Sequence, residues 1–420
     1  MTPPEPAEEA PAGGEPGLKR SIGLALLTFY GLGTTIGAGI YVLVGETAAA
    51  AGYYAPLAFV LAGAVMALAA AAFAEFAGRL PVSAGEAAYV ASGLSVRWLP
   101  TLVGLMVASA GLLTSAVLVQ GGAGYLVALT GLPELAFLCS LPFLLGAIAA
   151  WGIAESMRMA AILTLIEIAG LVIVIAGGGP AALERLAAPD FALPPLDAAA
   201  VSGLLAAGLL AVFAFIGFED IVNVAEEVHR PERTIPWAIA LTLAGSVALY
   251  ILISGIAVLT VPHGELAGSS APLALVMEHT SGMTGATVSV IAVAAVLNGV
   301  IIQMIMASRV LYGLARLERL PSWLGHVNTR TRTPLRATAA TVAVVLMLAL
   351  TLPLDELARY SSMVVLAVFA LVNLALWRLK GREPSPPPGA FLVIPRWVPM
   401  AGLLGCCALL LAEAFRRLIA

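Results

Sequence analysis

The sequence has few charged residues for its length. Asp, Glu, Lys and Arg together make up 11% of the 420 residues, whereas soluble globular proteins carry about 25%. Hydrophobic residues supply 60% of the chain, and they occur in runs long enough to cross the ~30 Å hydrocarbon core of a bilayer. This composition excludes the soluble class and predicts a polytopic membrane protein.

Residues that carry catalytic or metal chemistry are also scarce. The three cysteines lie in apolar runs without metal-ligand spacing, so we expect free thiols and no metal site. The four histidines lie in or near loops, and no Ser/His/Asp or Cys/His set shares a plausible depth in the membrane. We therefore predict that the protein is not an enzyme and has neither a cofactor nor a nucleic-acid partner.

The apolar runs predict about eleven transmembrane helices. In hydrocarbon every backbone N–H and C=O needs a partner within the protein, so an apolar run of about 20 residues has to be helical. The alternation of polar and apolar residues that marks a membrane β-barrel is absent. The predicted spans are roughly 21–50, 54–78, 98–129, 134–153, 157–178, 199–228, 235–261, 283–316, 335–352, 356–379 and 397–416. Outside the membrane, 180–198 is predicted to be a loop over a vestibule and 272–277 a short lid helix.

Basic residues are distributed unevenly between the two sides of this map. With the amino terminus in the cytoplasm, 17 of the 21 Lys and Arg residues fall in inner segments, which fixes the orientation. An odd number of spans then places the carboxyl terminus outside. Because arginine far outnumbers lysine and Ala and Gly are abundant, we expect a bacterial source and a multi-pass location in the cytoplasmic (inner) membrane.

Two of the predicted spans contain a break. The first span carries four glycines within nine residues: Gly31, Gly33, Gly37 and Gly39. Each glycine inside a helix costs about 1 kcal/mol relative to alanine, although the Gly33–Gly37 spacing also suits close packing of a neighbouring helix. The sixth span has Gly217 closely followed by Glu219 and Asp220, and carboxylates at this depth usually face a water-filled cavity. We predict local unwinding in both spans.

The two breaks occupy matching positions if the helices form two repeats. We predict a disordered cytoplasmic tail (1–20), a first five-helix repeat (21–179), a second one (199–380), and a linker with one additional span (381–420). Interrupted helices at corresponding positions of two repeats indicate a transporter's binding site. Exposed N–H groups at such a break suit a carboxylate and exposed C=O groups suit an ammonium, so we predict a pocket for a zwitterion such as an α-amino acid.

Four ordered segments resemble the amino acid–polyamine–organocation permeases, over most of 20–380. They are GTTIGAGIYVLVG in the first span, FAEFAGRLPVSAGEAAYV in the second span and its loop, FAFIGFEDIVNVAEEVHRPERTIPWAI in the sixth span and beyond, and ASRVLYGLARLERLPSWLGHVNTRTRTP after the eighth. The resemblance implies an all-α fold of five-plus-five inverted repeats with broken helices 1 and 6, which works by alternating access. The chain departs from the family in having about eleven spans where twelve are usual.

The resemblance also implies which residues bind the substrate. The carboxylate is expected at the backbone N–H groups of Gly37, Ala38 and Gly39. The ammonium is expected at the carbonyls of Thr35, Phe213 and Ile216, next to the break at Gly217. An aromatic cap over the substrate is expected from Phe213 or Phe215, for which ordinary packing is the alternative reading.

Further roles follow from the same resemblance. Glu219 matches an acidic position next to the break in some members, so a link to protonation is expected of it. The inner gate is expected to be held by ion pairs among Glu226, Glu227, Arg230 and Arg233.

Helix 5 carries one ionisable residue in mid-span, Glu167, where many relatives have a lysine. Thr164 and Gly170 share its helical face, which predicts a narrow polar side towards the bundle. Because burial favours the protonated carboxyl, we predict that Glu167 takes up a proton outside and releases it inside. A structural carboxyl, permanently protonated or paired with an arginine, is the alternative. Sodium is the less favoured coupling ion because Asn298 and Gln303 on helix 8 do not share a face.

These observations favour proton-coupled symport of a neutral amino acid. Small residues at 108–111 leave room for a bulky apolar side chain, while Glu219 leaves arginine and polyamines open. An exchanger of amino acids or amines has the same fold and is the alternative. A non-transporting sensor or scaffold is less favoured, because such a protein would normally bring a soluble domain or a long tail. Apart from the substrate and membrane lipid, the sequence indicates no partner and no oligomeric state.

Overall fold

The chain is almost entirely helical in its computed structural model, which describes residues 20, 22–37, 39–80, 85–151, 156–281, 285–316, 318–328, 333–383 and 391–419. The α-helices in these residues are α1 (Leu24–Ile36), α2 (Gly39–Ala51), α3 (Ala55–Arg79), α4 (Gly85–Gly93), α5 (Leu99–Thr130), α6 (Glu134–Trp151), α7 (Ser156–Ala187), α8 (Ala198–Ala214), α9 (Pro231–Thr260), α10 (His263–Gly268), α11 (Pro272–Ser281), α12 (Ala286–Arg316), α13 (Leu335–Thr351), α14 (Leu354–Arg382) and α15 (Trp397–Ile419). Three 3₁₀ helices accompany them, at Gly52–Tyr54, Phe218–Glu227 and Ser322–Gly325.

The predicted number of spans is confirmed for the described residues. Eight helical stretches are long and apolar enough to cross a membrane, and one of them, Leu24–Arg79, contains two spans. The shorter apolar helices α6 and α13 bring the total to the predicted eleven. The first span consists of α1 and α2, and the sixth consists of α8 and the 3₁₀ helix Phe218–Glu227.

The fifth span is longer than predicted. Helix α7 continues through Pro180 to Ala187, so the first part of the predicted outer loop is helical. The glycines before this proline serve packing and do not end the helix. A Cβ added at Gly177 would lie 2.7 Å from Met277 Cε, and one at Gly178 would lie 2.5 Å from Ile256 Cγ2.

Three short helices lie outside the spans. The short helix predicted at 272–277 is present as α11, and α10 precedes it. Helix α4 follows the second span and was not predicted as an element. It packs against α5, α14 and the 3₁₀ helix Phe218–Glu227, which brings it close to the second break.

The spans form two packed groups with the site between them. Helix α9 packs against α1 and α3, and α3 also packs against α8. Helix α5 packs along α12 and α14, and α7 contacts both groups. Small residues allow these close approaches. A Cβ at Gly122 on α5 would lie 2.6 Å from Val296 Cγ1 on α12. The three cysteines are free thiols, as predicted.

Candidate substrate and coupling site

The first predicted break lies between α1 and α2. Helix α1 ends at Ile36, and Gly37 follows with φ 26°, a left-handed conformation that favours glycine. Helix α2 starts at Gly39, where a Cβ would lie 2.8 Å from Ala214 Cα. The break therefore lies directly against the end of α8. Ala38, predicted to contribute an N–H group, is outside the described residues.

The second predicted break lies at Gly217. Helix α8 ends at Ala214, and Gly217 has φ 124°, which only glycine adopts without strain. The chain continues as a 3₁₀ helix. The N–H of Gly217 donates to Glu219 Oε2 at 2.8 Å, so this carboxyl satisfies a backbone donor at the break.

The two breaks touch each other. A Cβ on Gly217 would lie 2.5 Å from Thr34 O, and the Thr34 hydroxyl donates to Gly217 O at 2.9 Å. The Tyr250 hydroxyl on α9 lies 2.8 Å from Thr35 O and 2.7 Å from Ala214 O. One hydroxyl thus joins a carbonyl of each broken helix, including the Thr35 carbonyl predicted for the substrate ammonium.

A small cavity lies at the breaks. Its volume is about 20 Å³, room for about one water molecule, so the arrangement is closed. It is lined by Thr34, Thr35, Gly37, Gly39, Thr114, Leu118, Phe213, Ile216, Gly299, Ile302 and Gln303. Five predicted substrate residues are therefore brought together here: Thr35, Gly37, Gly39, Phe213 and Ile216.

Two predicted substrate residues take other places. The Phe215 ring is fully buried and packs against Tyr250, with ring centroids 5.1 Å apart, so ordinary packing and not a substrate cap describes it. Gly217 packs directly against the backbone of Thr34 and does not line the cavity. Thr114 and Gln303, on α5 and α12, line the cavity and were not predicted to do so.

Glu167 lies in the core at the first broken helix. Its side chain is fully buried, and Asn298 Nδ2 on α12 donates to its Oε1 at 3.2 Å. Its Oε2 has no hydrogen-bond partner among the described residues. The Tyr41 hydroxyl on α2 donates to the backbone carbonyl of Glu167 at 2.7 Å. Helix α2 therefore holds Glu167 at its backbone, and α12 holds it at its carboxyl.

The predicted polar face of helix 5 is confirmed by its contacts. A Cβ on Gly33 would lie 2.0 Å from Thr164 Oγ1, and one on Gly170 would lie 2.7 Å from the Tyr41 hydroxyl. Both residues thus face the first broken helix. Within the described part of the chain, no arginine or other base forms an ion pair with Glu167.

The predicted inner gate is built differently from the expectation. Ile22 N donates to Glu227 O at 3.0 Å, and His229 N donates to Ile22 O at 2.9 Å. This backbone bridge ties the start of the first span to the end of the sixth. The Arg230 side chain is exposed, and Arg233 lies 5.5 Å from the Phe391 ring centroid.

The predicted ion pairs of this gate are therefore wrong for the side chains that are described. No salt bridge joins Glu227 to Arg230 or Arg233 there. Exposed ion pairs contribute little to stability. Backbone hydrogen bonds hold the start of the first span to the end of the sixth span instead. The side chain of Glu226 is outside the described residues.

Two discontinuous helices that cross at a small buried site define a class, the membrane transporters of the broken-helix type. The chain belongs to the amino acid permease family, whose model matches residues 22–415. The family resemblance found in the sequence is thereby confirmed.

Two relatives agree with this assignment, and a solved structure shares the fold. The chain is 28% identical over 406 residues to the branched-chain amino acid permease BcaP of Bacillus subtilis (strain 168), covering 90% of this chain and 84% of that protein. It is 29% identical over 391 residues to cationic amino acid transporter 2, vacuolar, of Arabidopsis thaliana, covering 88% of this chain and 61% of that protein. The structure of a Na⁺-coupled sialic acid symporter matches with a TM-score of 0.62 at 13% identity, covering 94% of this chain and 89% of that one. The predicted fold, an all-α inverted-repeat transporter with broken helices 1 and 6, is confirmed.

Proposed function

We propose that the protein is a secondary active transporter that carries an amino acid across the cytoplasmic membrane together with a proton, by alternating access. The amino terminus faces the cytoplasm in this proposal, as the distribution of basic residues indicates. The observation that carries the proposal is the buried Glu167, whose Oε2 has no described partner and which lies beside the first broken helix.

Backbone groups at the two breaks support an amino acid as the substrate. The lining of the small cavity combines the N–H side of α2 at Gly39 with the carbonyl ends of α1 and α8. Such an arrangement suits a carboxylate at one end and an ammonium at the other. The relatives agree, because both are described as amino acid transporters.

The surroundings of Glu167 support the proton as the coupling ion. An ionised carboxylate in a dry interior is costly unless it is paired, and Asn298 supplies only one neutral donor. Glu167 is therefore neutral in the closed arrangement and ionises when an opening brings water to it. Because α7 contacts α1 and α12, opening at either side changes its exposure.

Transport assays in liposomes test this proposal. Uptake of a radiolabelled amino acid panel is measured with and without an inward proton gradient. A symporter accumulates its substrate above the outside concentration only when the gradient is present. Accumulation that ignores the gradient contradicts proton coupling, and no uptake of any amino acid contradicts the proposed function.

Exchange of amino acids or amines is the second candidate, since the same site supports it. Wild-type protein that takes up label only when a second amino acid is loaded inside, whatever the pH gradient, is an exchanger. Glu167 then has a structural role in holding α7 against α12.

A further inference from the structure

Three acidic side chains line one buried cavity next to the substrate cavity. Glu86 comes from α4, and Glu219 and Asp220 come from the 3₁₀ helix after the second break. Their exposed fractions are 5%, 7% and 1% respectively. The cavity itself has a volume of about 20 Å³, room for about one water molecule.

These carboxyls have no basic partner in the part of the chain that the structure describes. Among the described residues, no Lys, Arg or His nitrogen lies within 4.0 Å of any of the three. Glu219 accepts the N–H of Gly217, whereas Asp220 Oδ2 is buried and has no described hydrogen-bond partner. Burying acidic groups without a counter-charge is unfavourable. Holding the break requires only Glu219, and Glu86 lies in the first turn of α4, where an acidic residue is favourable. Asp220 Oδ2, which lacks a described partner, has no such explanation.

The acidic cavity adjoins the cavity at the breaks. Ile216 and Gln303 line both of them, so these two side chains form the wall between the two spaces. A substrate whose α-amino and α-carboxyl groups lie at the breaks would direct its side chain across this wall. In the closed arrangement each cavity is too small for that side chain, so the wall has to move when the substrate binds.

We propose that Glu86, Glu219 and Asp220 form a subsite for the cationic side-chain end of a dibasic amino acid, of the lysine or arginine class. This inference rests on the proposed transport function and names its substrate class. An ammonium or guanidinium that enters with the substrate allows these carboxyls to ionise, and it supplies hydrogen-bond donors for Asp220 Oδ2. Within the described residues no group of His, Cys, Asp and Glu could hold a metal ion, which favours an organic cation.

The inference revises the neutral substrate that the sequence favours. Two of the small residues expected to leave room, Ala110 and Gly111, do line this cavity. The same space is bordered by the three carboxyls, however, and an apolar side chain there would leave them without a partner. A cation is the better match.

A pair of matched ligands tests the subsite. Lysine and norleucine have the same carbon chain and differ by the terminal ammonium. Each is used to compete with radiolabelled lysine and with radiolabelled leucine for uptake into liposomes that contain wild-type protein, Asp220→Asn, Glu86→Gln or the control Glu184→Gln. Glu184 is exposed on the outer extension of α7, away from both cavities.

The subsite predicts that lysine competes at least about tenfold better than norleucine in the wild type, because a buried charge-assisted hydrogen bond contributes that much. Asp220→Asn and Glu86→Gln each reduce this preference about tenfold, and Glu184→Gln leaves it unchanged. If size-exclusion chromatography shows that Asp220→Asn does not fold, the preference of the wild type for lysine over norleucine is the test of the subsite.

Three results overturn the inference. Uptake in which norleucine competes as well as lysine removes the cationic subsite and leaves the transport function intact. If the variants change the pH dependence of uptake without changing the lysine preference, the acidic residues bind protons and not the substrate side chain. Absence of any amino acid uptake overturns the proposed function together with the subsite.

Discussion

Replacing Tyr250 by phenylalanine removes a hydroxyl on α9 that contacts both broken helices at once. This hydroxyl lies 2.8 Å from Thr35 O on the first broken helix and 2.7 Å from Ala214 O on the sixth. The ring is fully buried between Phe59 and Phe215. Phenylalanine keeps this packing, so the substitution tests the hydrogen bonds and not the core.

We expect the substitution to destabilise the closed arrangement of the protein. Leaving a buried acceptor unpaired costs about 1–3 kcal/mol. Since one proton is shared between two carbonyls, we expect about this much in total, equivalent to roughly a 5- to 150-fold shift towards open forms. In open forms water reaches the carbonyls and removes the cost. A substrate ammonium can also replace the lost donor, so added substrate stabilises the variant more than the wild type.

Thermal unfolding in detergent measures both effects, with and without a substrate that the uptake panel identifies. The control is Tyr54→Phe, which removes a hydroxyl that donates to Pro194 O in the exposed outer loop. Without substrate, Tyr250→Phe is expected to have a lower melting temperature than this control. Added substrate is expected to raise the melting temperature of Tyr250→Phe by more than that of the control. Melting equal to the control, with an unchanged gain from substrate, refutes the role assigned to the hydroxyl.

Three further substitutions have distinct expected outcomes. Gly217→Ala places a Cβ 2.5 Å from Thr34 O at φ 124°. We therefore expect the free energy of unfolding to fall by at least about 2 kcal/mol, with little monodisperse protein in size-exclusion chromatography. A wild-type elution profile contradicts the strain argument. Lys380→Met removes one of the donors to the buried Glu75, which also binds Arg79. We expect this to lower the free energy of unfolding by about 1–3 kcal/mol, and the double variant with Glu75→Gln to regain part of that loss. A wild-type melting temperature of Lys380→Met contradicts the expected role of this ion pair. Asn298→Leu leaves Glu167 Oε1 without its donor and is expected to weaken gradient-driven uptake more than exchange, whereas equal losses in both assays indicate a general packing defect.

Features written in local sequence could be predicted. The breaks were found because Gly37 and Gly217 interrupt apolar runs, and both adopt positive φ values that glycine permits. The buried face of helix 5 followed from one carboxyl between Thr164 and Gly170 at helical spacing. The lid helix α11 followed from a short apolar stretch between polar residues.

Features that depend on distant partners could not be predicted. Tyr250 lies 215 residues from Thr35, and Asn298 lies 131 residues from Glu167. A mid-span tyrosine indicates only that its hydroxyl needs some partner. Asn298 was considered solely as a sodium ligand together with Gln303, because one helix wheel does not show what faces it across the bundle.

The inner half of the sixth span illustrates another limit. Gly217 and the acidic residues after it predict an interruption here, but they do not predict that Phe218–Glu227 forms a 3₁₀ helix. The Glu219 carboxyl binds the N–H of Gly217, which stabilises the break locally. The gate was misjudged because charge patterns suggested ion pairs, whereas the backbone of Ile22 bonds to Glu227 and His229.

The most direct test of proton coupling through Glu167 is substrate-driven proton entry. Liposomes with a pH-sensitive dye inside and no initial gradient receive substrate outside, with wild-type protein or Glu167→Gln. We predict acidification of the interior by the wild type, and none by Glu167→Gln, which still exchanges labelled for unlabelled substrate. Equal acidification by both proteins would contradict the account and assign the proton to another group.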